Sequence, residues 1–223
     1  MTEFLSTLDH IDQGLTLLLN YDGGSFQDHL WLIVSSRTIW LLPALTLIAY
    51  LFQHKKQWRE AVIVVLAIAL TVTLCDQISS TWMKPFFGRL RPSHNPALEG
   101  MIHLVNGYRS GTFGFVSSHA ANSFGAVTLV SLLLRSRKVA IPLYAFALCV
   151  SYSRVYLGVH YVGDTLGGMM LGMIIAFTVY ALLPKACRTT FILPKNRLTQ
   201  TKAILSVSRR LPLSINYLLK LRF

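Results

Sequence analysis

Five stretches of the chain are almost purely apolar. Residues 31–52 hold one charged side chain, Arg37, and residues 61–83 hold one, Asp76. Residues 120–134, 139–153 and 166–183 hold none. A helix needs about 20 mostly apolar residues to cross a bilayer. The first, second and last stretches have that length, and the middle two reach it once His119 or the residues near Tyr156 are added. Five such runs in 223 residues leave too little polar surface to cover them in water, which argues against a soluble bundle. The pattern predicts an all-α polytopic membrane helix bundle of five transmembrane helices. Ahead of them, Phe4, Leu8, Ile11, Leu15 and Leu18 recur at helical spacing, with Asp9 and Asp12 on another face. That predicts an N-terminal amphipathic helix lying at the outer interface. Three regions follow: an interfacial helix over 1–30, a transmembrane domain over 31–185 and a basic tail over 186–223.

Composition adds weight to this and charge gives it a side. The chain is 53% hydrophobic and only 13% charged, against about 25% charged in soluble domains. Its net charge of +12 would suit nucleic acid, but the basic residues are segregated by loop. Lys55, Lys56 and Arg59 fall between the first two runs, and Arg135, Arg137 and Lys138 between the third and fourth. Nine more follow the fifth, from Lys185 to Arg222. In a five-span chain these alternate loops share one side, and basic loops stay cytoplasmic. The N-terminus is therefore expected outside and the C-terminus in the cytoplasm, with the bilayer rather than nucleic acid as partner. The mixed apolar and basic tail from Lys195 to Phe223 is expected on the anionic cytoplasmic leaflet. Residues 1–30 contain no Lys or Arg, so a secretory signal with a basic start is not expected. Cys75, Cys149 and Cys187 have neither disulfide-framework nor metal-ligand spacing.

The outer ends of the spans carry the candidate chemistry. Lys84 and Arg91 follow the second span, His119 begins the third, Arg154 ends the fourth, and His160 and Asp164 begin the fifth. All six fall at one surface of a topology that was set without them. Two arginines and a lysine in a partly dry site favour a multi-oxygen anion such as phosphate. Two histidines can divide the work of nucleophile and general acid. His160 and Asp164, four apart, would share a helix face, where the carboxylate can hold one ring nitrogen and leave the other to attack. Backbone amides near Ser117, Ser118 and His119 can add a helix N-terminal contribution. The outer side offers no Asp/Glu cluster suited to Mg²⁺, so neither a metal nor another cofactor is expected.

Three segments then resemble the motifs of the type 2 phosphatidic acid phosphatase superfamily. Lys84-Pro-Phe-Phe-Gly-Arg-Leu-Arg91-Pro92 is similar to the family's Lys, six residues, Arg-Pro. Val116-Ser117-Ser118-His119 resembles Pro-Ser-Gly-His, with Val116 for Pro and Ser118 for Gly. Ser153-Arg154, five residues, His160, three residues, Asp164 completes the set in the right order. The resemblance covers residues 30–185. It implies that His160 attacks phosphorus, Asp164 orients His160, and His119 protonates the leaving oxygen. It implies a phosphate cradle of Lys84, Arg91, Ser117 and Arg154, with the Ser118 amide as an addition. The expected activity is a membrane lipid phosphatase at the periplasmic face of a bacterial inner membrane. Lipid A is the leading substrate and undecaprenyl diphosphate the next. Phosphatidylglycerol phosphate and phosphatidic acid follow. A transporter or scaffold of the same fold would be expected to lack His119 or His160, and the vanadate-dependent oxidising relatives are soluble. Arg89, His94, His103 and Arg109 in the outer loop read equally as head-group contacts or as ordinary loop polarity, and Trp31, Trp40 and Trp82 as interface or packing residues. Gly163, Gly167, Gly168 and Gly172 read as sites of close helix packing.

Overall fold

A computed structural model describes residues 2–53 and 57–191. The expected basic tail beyond Phe191, and Lys55 and Lys56, lie outside the described residues. Helix α1 spans Thr2–Leu19 and α2 spans Gly24–Ser35. A 3₁₀ turn, Arg37–Trp40, leads into α3, Leu41–Phe52. Helix α4, Trp58–Gln77, continues through a π-helical turn, Ile78–Met83, into α5, Lys84–Phe87. Helices α6 (Ser118–Leu134), α7 (Arg137–Tyr156), α8 (Val162–Leu182) and α9 (Lys185–Thr190) complete the bundle. Among the described residues there is no extended strand, only an isolated bridge between Leu90 and Phe113.

Three helical segments are long and apolar enough to cross a membrane: Trp58–Phe87, Arg137–Tyr156 and Val162–Leu182. The first apolar run is not one straight helix. It breaks at Ser36, whose backbone is extended, so that α2 and the α3 segment meet at a 59° bend. The Ser36 hydroxyl donates to the Ile33 carbonyl, which gives that backbone group an alternative to the helical ladder. The third run, α6, is 17 residues long, about 26 Å at helical rise. It is buried on most sides by α4, α7 and α8, as suits the central helix of a bundle. Outward-facing side chains of the other helices, such as Leu66, Ile141, Leu148, Ile174 and Phe177, are apolar and exposed. This is the surface of a protein whose solvent is hydrocarbon.

The tightest packing is α8 on α6, and glycine makes it. A Cβ on Gly168 would sit 2.4 Å from the Ser117 carbonyl oxygen, and one on Gly172 would sit 2.2 Å from that of Ala121. Only hydrogen fits at these two positions. The contact also ties the start of α6 to the start of α8, because Ser117 N–H donates to the Asp164 carbonyl at 2.9 Å. Cys75 and Cys187 are buried, Cys149 is exposed, and all three are free.

Candidate active site

His160 does not lie on a helix face with Asp164. It sits in the turn between α7 and α8, just before the N-cap Tyr161, while Asp164 is the third residue of α8. The i, i+4 spacing still works, because the carboxylate bends back towards the helix start. Asp164 Oδ2 accepts from Tyr161 N–H at 3.1 Å and lies 3.2 Å from His160 Nδ1. The turn is shaped by Gly158 at φ +68°, where a Cβ would also lie 2.7 Å from Ile102. It is pinned by His160 N–H donating to the Arg154 carbonyl.

The other ring nitrogen faces a cation. Arg91 Nη1 donates to the Val159 carbonyl and to His160 Nε2, both at 2.7 Å. A guanidinium only donates, so Nε2 presents its lone pair and the proton sits on Nδ1, facing Asp164. The arrangement fixes the tautomer that a nucleophile at Nε2 needs. Burial, and then the charges of Arg91, Arg154 and Lys84, hold the His160 imidazole well below the ordinary histidine value. A nucleophile must be neutral, and a lowered value keeps it so under mild acid. We therefore expect kcat/KM to show no His160 limb as pH falls through about 6.5, once the substrate phosphate's own ionisation near about pH 6 is divided out. A limb at the ordinary histidine value would contradict the buried geometry.

Around His160 lies an anion-demanding cavity of about 1570 Å³, lined at this end by Lys84, Arg91, Ser118, His119, Arg154 and His160. Burial, and then the Arg154 charge, lower Arg91 to about 10, which still leaves it cationic near neutrality. The buried Nε–H groups of Arg91 and Arg154 have no acceptor among the described residues. Orphaned buried donors are costly unless a ligand meets them. Lys84 is brought in by the π-helical turn and donates to Ser118 Oγ at 2.6 Å. The Ser79 hydroxyl donates to the same oxygen at 2.8 Å. Ser118 therefore replaces the motif's glycine without backbone strain and engages Lys84 through its hydroxyl. We expect Ser118→Gly to fold normally and to change KM by at most about tenfold to a hundredfold, since one hydrogen bond to a charged group is worth about 1.5–3 kcal/mol and about 1.4 kcal/mol is tenfold. Steady-state kinetics in detergent would read this.

Ser117 is fully buried and turned away from the cavity lining. Its oxygen accepts from Ala120 N–H at 3.4 Å as the N-cap of α6. The geometry thus brings Lys84, Arg91, Arg154, Ser118 and both histidines to one cavity, sets Asp164 behind His160, and leaves the Ser117 side chain out.

The PAP2 superfamily model matches residues 60–188. The chain belongs to the PAP2 superfamily. A lipid A 4'-phosphatase of Bacteroides thetaiotaomicron is 40% identical over 174 residues, spanning 77% of this chain and 75% of that protein. A lipid A 4'-phosphatase of Porphyromonas gingivalis is 34% identical over 170 residues, spanning 76% and 72%. The crystal structure of a transmembrane PAP2-type phosphatidylglycerolphosphate phosphatase from Bacillus subtilis shares the fold. Its TM-score is 0.60 at 21% identity, over 78% of this chain and 85% of that one.

Beyond the PAP2 motifs, the site recruits residues whose partners lie far off in sequence. The break between α2 and α3 faces the cavity, so that Ser35 accepts from Arg154, and Ser35 and Arg37 line the wall. The signal was the lone charge in an apolar run. Arg89, read as a head-group contact or loop polarity, lies behind Asp164 and donates to Oδ1 at 2.9 Å. His94 pairs with Ser93 and His103 with Asp28, away from the cavity, and Arg109 is exposed. Asp22, Asp28 and His103 place ligand atoms within 4.8 Å of one another. Asp28 there accepts from the Tyr156 hydroxyl at 2.8 Å, a lock between α2 and α7.

Proposed function

We propose that this PAP2 phosphatase removes a phosphate from lipid A at the outer face of a bacterial inner membrane, through a phosphohistidine. The observation that carries the reading is the cavity. One end holds the cations and both histidines, and it runs on between α3, α4, α6 and α7 past Leu47, Ile68, Val130 and Leu143. A charged head and an apolar stem in one space suit a phosphorylated lipid. The lipid A 4'-phosphatases similar to the chain favour the 4'-phosphate of lipid A.

In this reading Lys84, Arg91 and Arg154 grip the phosphate, and Arg91 swings its donors from His160 to the phosphate oxygens. His160 Nε2 attacks phosphorus as the P–O bond to the sugar breaks. His119 delivers its proton to the leaving oxygen. His119 then takes a proton from water, whose oxygen attacks the phosphohistidine, releasing inorganic phosphate and restoring His160. The positive end of α6 and the three cations stabilise charge on the equatorial oxygens. The basic loops support a topology of five spans, counting the bent α2–α3 segment as one and α6 as another, with the N-terminus and the site periplasmic. The exposed apolar face of α1, with Leu8, Ile11, Leu15 and Leu18, supports its seating in the interface.

Mass spectrometry of membrane lipids with and without the gene tests the substrate. We expect lipid A lighter by one phosphate when the gene is present. Unchanged lipid A with altered undecaprenyl diphosphate, phosphatidylglycerol phosphate or phosphatidic acid would replace lipid A with that lipid.

A further inference from the structure

Asp164 divides its oxygens. Oδ2 serves His160 Nδ1 and the Tyr161 amide, while Oδ1 accepts from Arg89 Nη1 at 2.9 Å. Arg89 does not line the cavity, so it reaches the site from behind the carboxylate. It is itself held from α1. Its Nη1 lies 2.8 Å from Asp12 Oδ2, and its Nη2 donates to Asp9 Oδ1 at 2.7 Å. Its guanidinium stacks 4.1 Å over the ring of Tyr161, the residue that follows His160. Asp12 also reaches α8 directly, accepting from Gly163 N–H at 2.8 Å. A Cβ on Gly163 would lie 2.6 Å from Asp12 Oδ2, so a side chain there would push this carboxylate aside.

The electrostatics give this lattice a purpose. The Asp164 side chain has no exposed surface. A carboxylate that dry stays ionised only with a cation against it. Arg89 is that cation, and alone against one carboxylate it would still be free to swing. Asp9 and Asp12 fix it from the far side. Burial works against the Arg89 charge, but Asp164, Asp12 and Asp9 together raise its affinity for the proton above that of a free guanidinium. The two α1 carboxylates come from outside the PAP2-matched region, which begins at residue 60.

We propose that α1 is a strap that completes the nucleophile: Asp9 and Asp12, acting through Arg89, position Asp164 so that it stays ionised and holds His160 with Nε2 towards phosphorus. Arg89, Asp9 and Asp12 are positioning residues that touch no substrate. This rests on the phosphohistidine reading above. The groups facing Asp164 are Asp9 and Asp12 from α1, Arg89 and Arg91 from the loop after α5, Lys84 from α5, and His160 and Tyr161 from the turn.

The test compares full-length wild type, Arg89→Ala, Arg89→Lys, Asp9→Asn with Asp12→Asn, and the triple variant. Each is assayed in detergent micelles on whichever of the four candidate lipids the wild type turns over fastest. Melting temperature is measured alongside. In Arg89→Ala we expect kcat to fall about tenfold to a hundredfold with KM within about twofold. With the cation behind the dry carboxylate gone, the acid limb of kcat should move up by about one pH unit or more. Lysine at 89 should restore part of both. The carboxylate pair should show the same shift in smaller measure, and the triple variant should be no slower than Arg89→Ala. An unmoved acid limb, a loss confined to KM, or additive losses in the triple variant would each overturn the strap. If His160→Ala is inert while Arg89→Ala keeps wild-type kcat and pH profile, the strap alone fails. If His160→Ala works like wild type, the phosphohistidine reading fails with it.

Discussion

His160→Ala is expected to lose phosphate release by at least about a thousandfold while still binding lipid, because it removes the atom that attacks and leaves the cations in place. The carboxylate behind it should matter almost as much. Asp164→Asn keeps the side-chain shape, yet its amide can turn an N–H towards Nδ1, which favours the tautomer with the proton on Nε2. The wrong tautomer at a comparable position costs about ten-thousandfold in a serine protease, and a loss of about a hundredfold or more is expected here. Stopped assays for acid-labile phosphohistidine would separate the variants. Wild type should accumulate it, Asp164→Asn should form it slowly, and His160→Ala should form none. Phosphate release by His160→Ala at the wild-type rate would remove His160 as nucleophile.

The largest expected effect on the fold comes from Gly172→Val. Even the first added carbon would lie 2.2 Å from the Ala121 carbonyl oxygen and 2.7 Å from Gly125 N, so backbone rather than a flexible side chain must give way. Overpacking of a tight interface costs about 1–3 kcal/mol and more where backbone is forced apart. We expect the upper end of that range or beyond. It should read as a drop in melting temperature in detergent, with activity falling in parallel, because the same contact sets the start of α6 against Asp164. Gly14→Ala is the control. Its Cβ would meet nothing within 4 Å, so it should melt like wild type. A Gly172→Val protein as stable as wild type would mean that α6 and α8 pack more loosely than the glycines indicate.

Membrane class and family were legible from the chain, because both are written in local signals. Apolar runs report the solvent of each helix directly. The motif spacings carried the PAP2 assignment, which the match over residues 60–188 bears out. Helical small-residue spacing likewise pointed to α8, where Gly168 and Gly172 do meet α6 backbone. Hydropathy could not show that the first run is bent by 59° at Ser36, since an apolar run reads alike whether its helix is straight or broken. Nor could it show that a half-polar N-terminal helix turns Asp9 and Asp12 towards the protein.

Sequence by itself thus determined that this is a membrane-embedded PAP2 phosphatase with Lys84, Arg91, His119, Arg154, His160 and Asp164 as its candidate chemistry. Tertiary structure alone decided three further things. It turned Ser117 into a buried helix cap, gave the Ser118 hydroxyl to Lys84, and set Arg89 between Asp164 and the carboxylates of α1. The physical reason is the range of the interactions. Hydropathy and motif spacing act within one helix or turn. The Arg89 lattice joins residues 75 and 80 apart in the chain, and such pairings exist only once α8 has packed on α6 and α1 has closed over their ends.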